Sequence, residues 1–390
     1  MRLGVMVAVL VSAVLAVSCS VKESSANEEI QPLTGYIQEA DQLYLEESNS
    51  SEGYTPLSYE NQIGKWFPYM DYEEYMLGKS ESEFRAEVAK RYSEASKQSV
   101  NTIYVHVLPC GDAYYKSEIF PKGVYLDGDY DPLQIMLEEA HKLDISVHAW
   151  INPLRNRSTA QMESLSDKYI VKQWADKHMG TFVNVVDGRY YLNPAYDEVI
   201  DLICRGVDEL VQNYNIDGVH IDDYFYPTTA EEFDKSAFST SGSTDLARWR
   251  LSNCNRMVHS MFESVKRADD RLLFGISPQG NINTNYTTQY ADVRLWGSTV
   301  GYCDYIVPQL YYGFKNETCP FEATLREWES LVTCDRVSLV IGLAEYKQGK
   351  NDKWAGASGE LEWIENTDII SRQTELVKSS EKACGYALYS

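Results

Sequence analysis

One short segment, residues 217–227, carries side chains whose types and spacing suit acid–base chemistry. Within it, Val219 and Ile221 alternate with His220 and Asp222, which is the period of a β-strand. The apolar pair should face the helices around the strand, and His220 and Asp222 should share the opposite face. A buried carboxylate is costly unless it is paired or hydrogen-bonded, so Asp222 is expected to have a function.

The neighbouring Asp223 makes this segment a pair of carboxylates. Hydrolysis of a glycosidic bond uses such a pair, in which one group protonates the leaving oxygen and the other acts as nucleophile or base. We assign Asp222 as the nucleophile or base and leave the proton donor open among Asp223, Asp112 and Glu345, in falling order. Both aspartates have a structural alternative, because Asp222 could satisfy polar groups at the strand end and Asp223 could cap the next turn.

Polar and aromatic residues also follow several other predicted strands. Aromatic rings can stack on sugar rings, and amide or imidazole groups can bind hydroxyls. Each aromatic residue taken alone is more often part of a core, so this prediction depends on the cluster, and His220 has a hydrogen-bonded core histidine as its alternative. The candidate substrate contacts are His148, Trp150, Asn152, His220, Tyr224, Gln279, Asn281, Gln309, Tyr311 and Tyr312.

The elements that must position these residues alternate between strand-like and helical patterns. Predicted strands cover residues 65–69, 102–107, 145–151, 218–222, 272–277, 304–309, 337–342 and 385–389, with amphipathic helical stretches between them. This alternation of strands and helices over residues 63–390 predicts an α/β fold, a (β/α)8 TIM barrel. The active site of such a barrel lies at the carboxyl ends of its strands. One residue follows the last strand, so the barrel is expected to lack its final helix, with residues 33–45 as a candidate cover.

The amino-terminal part of the chain is predicted to be a targeting segment rather than fold. Arg2 and a short apolar run precede Ser18-Cys19, so residues 1–19 are predicted to be a lipoprotein signal peptide with a lipobox at Cys19. A plain signal peptide is the alternative. Residues 20–62 are acidic and predicted to be a partly disordered linker. We therefore expect an exported protein, anchored in a membrane by a lipid at Cys19 and facing the periplasm or the exterior.

The composition limits the classes of partner. With 35 basic and 58 acidic residues the net charge is −23, which disfavours nucleic acids and anionic lipid surfaces as partners. There is no Cys-x-x-Cys motif and no cluster of histidines with metal-ligand spacing, so no metal or cofactor is expected. The 29 tyrosines and 8 tryptophans suit a surface that contacts carbohydrate.

Many ordered pieces of the sequence resemble the glycoside-hydrolase-like family 10 group of bacterial exported proteins. The matching pieces are residues 111–114, 130–133, 139–142, 148–153, 192–194, 217–227, 275–278, 290–293, 308–311, 342–344 and 346–347. The resemblance implies a (β/α)8 barrel that acts on glycans, with peptidoglycan-type cell-wall strands as the leading substrate class. Residues 217–222 are also similar to the strand-four motif of α-amylase-type barrels, in which the last aspartate is the nucleophile.

Two other functions compete with hydrolysis. The first is a non-catalytic, glycan-binding lipoprotein on a hydrolase-like barrel, which the uncertain proton donor favours. Release of product from a defined glycan would separate it from an enzyme. The second is a metal-dependent deacetylase on the same barrel, which the lack of clustered histidines disfavours.

Overall fold

The structure is a computed structural model that describes residues 53–390. The predicted signal peptide, Cys19, most of the linker and residues 33–45 lie outside the described residues. Among the residues it does describe, no helix combines the length and the apolar character that a membrane span requires.

Eight parallel strands close into a barrel in the order β1-β8-β7-β6-β5-β4-β3-β2. The predicted (β/α)8 fold is confirmed. The first strand begins and ends earlier than predicted, because Pro68 cannot donate to a ladder. The strands are β1 (Gln62–Phe67), β2 (Thr102–Leu108), β3 (Ser146–Ile151), β4 (Gly218–Ile221), β5 (Leu273–Ile276), β6 (Tyr305–Ile306), β7 (Ser338–Ala344) and β8 (Ala383–Tyr389).

One helix follows each of the first seven strands and packs outside the barrel. Several begin with strong caps: Ser80 forms a capping box with Glu83, and Asp131 precedes a proline at the first helical position. The helices are α1 (Glu81–Lys97), α2 (Pro132–His141), α3 (Asp197–Asn213), α4 (Leu246–Ala268), α5 (Val293–Ser298), α6 (Phe321–Leu331) and α7 (Ile369–Ser379). Further helices are Tyr72–Tyr75, Thr159–Glu163, Ile170–Lys177, Lys235–Thr240, Ile282–Thr284 and Glu362–Glu365.

A small antiparallel sheet is inserted between β3 and α3. Its strands are Arg155–Ser158, Val183–Val186 and Arg189–Leu192, and the last of these lies in the middle. The turn between the second and third strands is Asp187-Gly188, and both residues have positive φ, 47° and 74°. This dipeptide is a strong hairpin signal. The sheet places Arg155 three residues after Asn152, close to the carboxyl end of β3.

Aromatic rings fill the inside of the barrel. The His220 ring stacks on Tyr104 with centroids 4.3 Å apart, and the Tyr305 ring lies beside both. Glycines on neighbouring strands make room for them: a Cβ on Gly275 would lie 1.8 Å from the Tyr305 ring, and one on Gly64 would lie 2.8 Å from Tyr104. The barrel is therefore a packed core, and a ligand can enter only at its ends.

A buried carboxylate fixes the segment that precedes β1 to the amino-terminal end of the barrel. Asp217 Oδ1 accepts hydrogen bonds from the Tyr54 hydroxyl at 2.6 Å and the Leu57 N–H at 2.7 Å, while Oδ2 accepts from the Val147 N–H at 2.6 Å. Residues 54–61, which the sequence analysis placed in the linker, thus pack against the barrel.

Candidate active site

A cavity of about 280 Å³ opens at the carboxyl ends of the barrel strands. It brings together six of the predicted site residues: Trp150, Asp222, Asp223, Tyr224, Gln309 and Tyr311. Seven further residues complete its lining: Trp66, Tyr69, Met70, His106, Arg155, Tyr346 and Tyr389. A larger depression, of about 670 Å³, lies beside Tyr54 at the other end of the barrel, where barrel enzymes do not carry their active sites.

Asp222 lies directly after β4 and is only 6% exposed. Its Oδ1 accepts a hydrogen bond from the Tyr224 N–H at 3.3 Å. Burial raises the pKa of Asp222 well above its usual range, and the charge of Asp223 raises it further. The hydrogen bond from the Tyr224 N–H, the charge of Arg155 and the Trp150 indole oppose this rise in the pKa. The Asp222 carboxyl therefore holds a proton far more tightly than an exposed aspartate does.

Asp223 is half-buried and is held by amide groups of glutamines. Gln279 Nε2 donates to its Oδ2 at 3.2 Å, and Gln309 Nε2 donates to its Oδ1 at 3.3 Å. Gln289 Nε2 donates to its backbone carbonyl at 2.7 Å. Burial raises the pKa of Asp223, and the hydrogen bonds from the glutamines counteract that rise because they stabilise the carboxylate.

The two neighbouring carboxyls thus have different environments. Asp222 is more deeply buried and loses stability as an anion, whereas Asp223 accepts two side-chain hydrogen bonds that favour its anion. The two carboxyls titrate as a coupled pair, and a proton shared between them is held more tightly by Asp222 than by Asp223. A protonated acid beside a carboxylate is the arrangement that glycosidic cleavage needs.

Aromatic side chains form one wall of the cavity. Tyr311 and Tyr389 stack with centroids 6.0 Å apart, and Tyr346 meets both rings edge-on. Trp66 meets Tyr389 at 6.1 Å. Such a wall offers apolar faces with hydroxyls at their edges, which suits the alternating apolar and polar surfaces of a sugar ring.

A second wall contains a stacked histidine. The His106 ring lies 3.7 Å from the Trp150 ring, nearly parallel to it, and both of its nitrogens lack hydrogen-bond partners within residues 53–390. Burial lowers the pKa of His106 well below its usual range, so the ring is neutral at physiological pH. A neutral imidazole carries one donor and one acceptor, both of which are unused here.

His148 and His220 were predicted to contact substrate, but the structure places both below the cavity. Trp66 Nε1 donates to His220 Nε2 at 3.2 Å, and His220 Nδ1 lies 3.0 Å from the Tyr305 hydroxyl. That hydroxyl lies 2.6 Å from His148 Nδ1, and His148 Nε2 lies 3.2 Å from Ser146 Oγ. Because an indole can only donate, the hydrogen bonds of this series all point in one direction, and they fix the tautomers of both imidazoles. These histidines are completely buried parts of the barrel core.

Burial lowers the pKa of His148 from 6.5 to about 4, which predicts a loss of stability in acid. Between pH 6.5 and 4 the unfolded chain binds a proton that the folded chain does not, so stability is complete above pH 6.5 and falls as pH falls. This shift corresponds to about 3 kcal/mol. We expect the unfolding free energy of His148→Gln, measured with urea at pH 7 and pH 4.5, to depend less on pH than that of the wild type. A variant of the exposed His178, His178→Gln, is the control and should keep the wild-type dependence; an unchanged dependence in His148→Gln would contradict the prediction.

Two predicted acids lie outside the cavity lining. Asp112 is buried in the loop after β2, where its Oδ2 accepts from the Val124 N–H at 3.3 Å and lies 3.9 Å from the Arg157 guanidinium. Glu345 follows β7 and contacts Lys65 at 3.5 Å and the Ser390 hydroxyl at 2.6 Å. Since β1 alternates and Trp66 faces inward, Lys65 and its partner Glu345 lie on the outer side of the barrel.

Four other predicted contacts have supporting positions instead. Asn152 donates to the Pro109 carbonyl at 3.2 Å and holds the loop after β2. Asn281 caps a short helix by accepting from the Thr284 N–H at 3.0 Å, and Tyr312 packs against the core. Gln279 does not line the cavity but reaches the site through Asp223.

The alternation used for β4 could have found three of the seven residues that sequence reasoning missed. Trp66, His106 and Tyr389 are the last inward-facing residues of β1, β2 and β8. Arg155 and Tyr346 belong to segments beyond the barrel strands, so no strand period marks them. Among the described residues, no three His, Cys, Asp or Glu side chains are arranged to hold a metal ion.

Solved structures with the same fold include several carbohydrate-active proteins. The PgaB (BpsB) glycoside hydrolase domain from Bordetella bronchiseptica aligns with 85% of this chain and 94% of its own, at 10% identity and a TM-score of 0.55. A GH20 exo-β-N-acetylglucosaminidase from Vibrio harveyi aligns with 84% of this chain and 50% of its own, at 11% identity and a TM-score of 0.51. At these identities the likeness concerns the fold alone.

Two relatives are similar in sequence. Glycosyl hydrolase YngK from Bacillus subtilis is 32% identical over 338 residues, which cover 78% of this chain and 63% of the relative's length. Glycosyl hydrolase DigH from Escherichia coli K12 is 30% identical over 321 residues, which cover 74% of this chain and 72% of DigH. The family model described as glycosyl hydrolase-like 10 matches residues 77–356, and the chain therefore belongs to the glycosyl hydrolase-like 10 family.

Proposed function

We propose that this protein is a glycoside hydrolase that cleaves a polysaccharide at the Asp222–Asp223 cavity. The observation that carries the proposal is one cavity in which two neighbouring carboxyls with different environments lie among aromatic walls. The names of the sequence relatives support the same activity.

The environments of the two carboxyls support a division of roles that differs from the sequence-based assignment. Asp222 was predicted to be nucleophile or base, yet its burial makes it the better proton donor. The amide donors of Gln279 and Gln309 favour the Asp223 anion, which can stabilise the positive charge that develops on the sugar ring or activate the attacking water.

Peptidoglycan-type cell-wall glycan strands are the proposed substrate. The family resemblance and the predicted export signal support this choice. The test is a panel of peptide-free glycan strands, chitin oligomers and α-glucans, incubated with the purified protein and assayed for new reducing ends. Release from the cell-wall strands alone is the expected result. Binding of those strands without release would favour the non-catalytic, glycan-binding function.

Lipid attachment at Cys19 is the proposed basis of localisation in the cell envelope. The apolar run and the small residues before Cys19 support it. Cells fed radioactive palmitate should label the wild type but not Cys19→Ala, and the variant should move to the soluble fraction. A variant that stays in the membrane fraction, with an unlabelled wild type, would contradict the proposal.

A further inference from the structure

Arg155 is the only side chain of the cavity lining with a permanent positive charge. It begins the small sheet after β3, where its backbone pairs with Tyr191, so its position is fixed by a ladder rather than by a loose loop. Its guanidinium lies over the Tyr224 ring, 4.5 Å from the centroid. Tyr224 is 40% exposed, so this pair lies at the rim of the cavity.

The guanidinium makes no side-chain hydrogen bond or ion pair within residues 53–390. It makes no ion pair with Asp222 or Asp223, although its charge reaches Asp222 and favours the anion there. Its Nε is buried and makes no hydrogen bond. A half-buried arginine with unused donors is unfavourable in the empty protein, because part of its hydration is lost without replacement.

Neighbouring cations have an ion pair or a hydrogen bond at their terminal nitrogens, which sets Arg155 apart, although the Nε of Arg157 is also without a partner among the described residues. Arg157 lies 3.9 Å from Asp112, Arg189 donates to the Asn156 carbonyl at 2.7 Å, and Lys347 donates to Asp352 at 2.7 Å. In a chain with a net charge of −23, carboxylates are plentiful. An unpaired arginine facing a cavity is therefore a feature that points to a ligand.

We propose that Arg155 binds a carboxylate on the glycan and thereby determines which glycans are cleaved. This inference rests on the proposed hydrolase function. A guanidinium presents parallel N–H donors that match the two oxygens of a carboxylate. An acidic sugar entering a cavity that already contains the Asp223 anion needs such a counter-charge. The carboxylate can come from a lactyl ether on an amino sugar or from a uronic acid.

Binding measurements on the uncleaving Asp222→Asn background test this. The probes are a peptide-free cell-wall oligomer with free lactyl carboxylates, the same oligomer with those carboxylates reduced to alcohols, and a uronic-acid oligomer of equal length. The measured quantity is the ratio of Kd for the reduced oligomer to Kd for each acidic oligomer. The protein that retains Arg155 should bind one of the two acidic oligomers more tightly than the other. That oligomer identifies the source of the carboxylate.

Arg155→Met should lower that ratio by roughly 10- to 100-fold, through weaker binding of the acidic oligomer alone. Arg155→Lys keeps the charge but not the planar fork of donors, so its Kd ratio should lie between the ratio with Arg155 and the ratio of Arg155→Met. Arg189→Met removes the same charge from the same sheet outside the cavity and should leave the ratio within about twofold.

Equal weakening for the acidic and reduced oligomers would overturn the inference and assign Arg155 to hydroxyl binding or to support of Tyr224. An unchanged ratio in Arg155→Met would also overturn it, while leaving the hydrolase function intact. If the protein with Arg155 present binds none of the oligomers, and the wild type cleaves none, the proposed function fails and the inference fails with it.

Discussion

Replacement of Asp222 by Asn is expected to reduce turnover of a natural glycan by roughly 10³-fold, which corresponds to about 4 kcal/mol of activation free energy. Asn resembles the protonated acid in shape but cannot give up a proton to the leaving oxygen. Substrate affinity should persist because the aromatic walls and Gln309 are unchanged. The unfolding temperature should change little, since a buried carboxyl is replaced by a neutral group of similar size.

The leaving group decides whether Asp222 is the proton donor. An aryl glycoside of an acidic phenol releases a phenolate, which leaves without being protonated. Asp222→Asn should therefore lose far less activity on this substrate than on the natural glycan. Similar losses on both substrates would assign Asp222 the role of nucleophile or base, as the sequence analysis did. More than a tenth of wild-type activity on the natural glycan would remove Asp222 from the mechanism.

Replacement of Asp223 by Asn is expected to have the second large effect. Turnover should fall by roughly 10²- to 10³-fold on natural and aryl substrates alike. The charge of Asp223 stabilises a transition state that both substrates share. The pH profile of the residual activity should also move. Burial is the largest cause of the raised pKa of Asp222, and the charge of Asp223 is the second. Removal of the Asp223 charge therefore lowers the pKa of Asp222.

The direction of this shift follows from the roles. A proton donor loses activity as pH rises through its pKa, so the basic limb of the profile should move to lower pH in Asp223→Asn. The matched variant Gln309→Leu keeps the Asp223 charge but removes a donor that favours it, which raises the pKa of Asp223. Its acidic limb should move to higher pH. An unchanged basic limb in Asp223→Asn would contradict the coupling of the two carboxyls, and an unchanged acidic limb in Gln309→Leu would contradict the role given to its hydrogen bond.

The sequence predicted the architecture well because strand and helix periods are local properties. The alternation in residues 218–222 correctly placed His220 and Asp222 inside the barrel and Val219 and Ile221 outside it. It could not give the depth of each residue along the axis. His220 lies one layer below Asp222 and is completed by Trp66 and Tyr305, residues 154 and 85 positions away in the chain.

Contacts between residues that are distant in sequence also explain why two predicted acids lie outside the cavity lining and why an unpredicted arginine lies in it. Asp112 follows a strand as a catalytic acid would, but Arg157, from the inserted sheet, lies beside it. Glu345 follows β7, yet Lys65 on the outer side of β1 contacts it there. Arg155 lines the cavity from the inserted sheet, where its backbone pairs with Tyr191. These contacts depend on tertiary packing, which no strand or helix period encodes.

We expect water to cleave a glycosidic bond at the Asp222–Asp223 cavity. The most direct measurement is mass spectrometry of peptide-free glycan strands incubated with the purified protein in water enriched in oxygen-18. The wild type should yield shorter strands that carry one heavy oxygen at each new reducing end, and Asp222→Asn should yield almost none in the same time. Intact strands with the wild type, under conditions where binding to the cavity is demonstrated, would contradict the claim and favour a protein that holds glycan without cutting it.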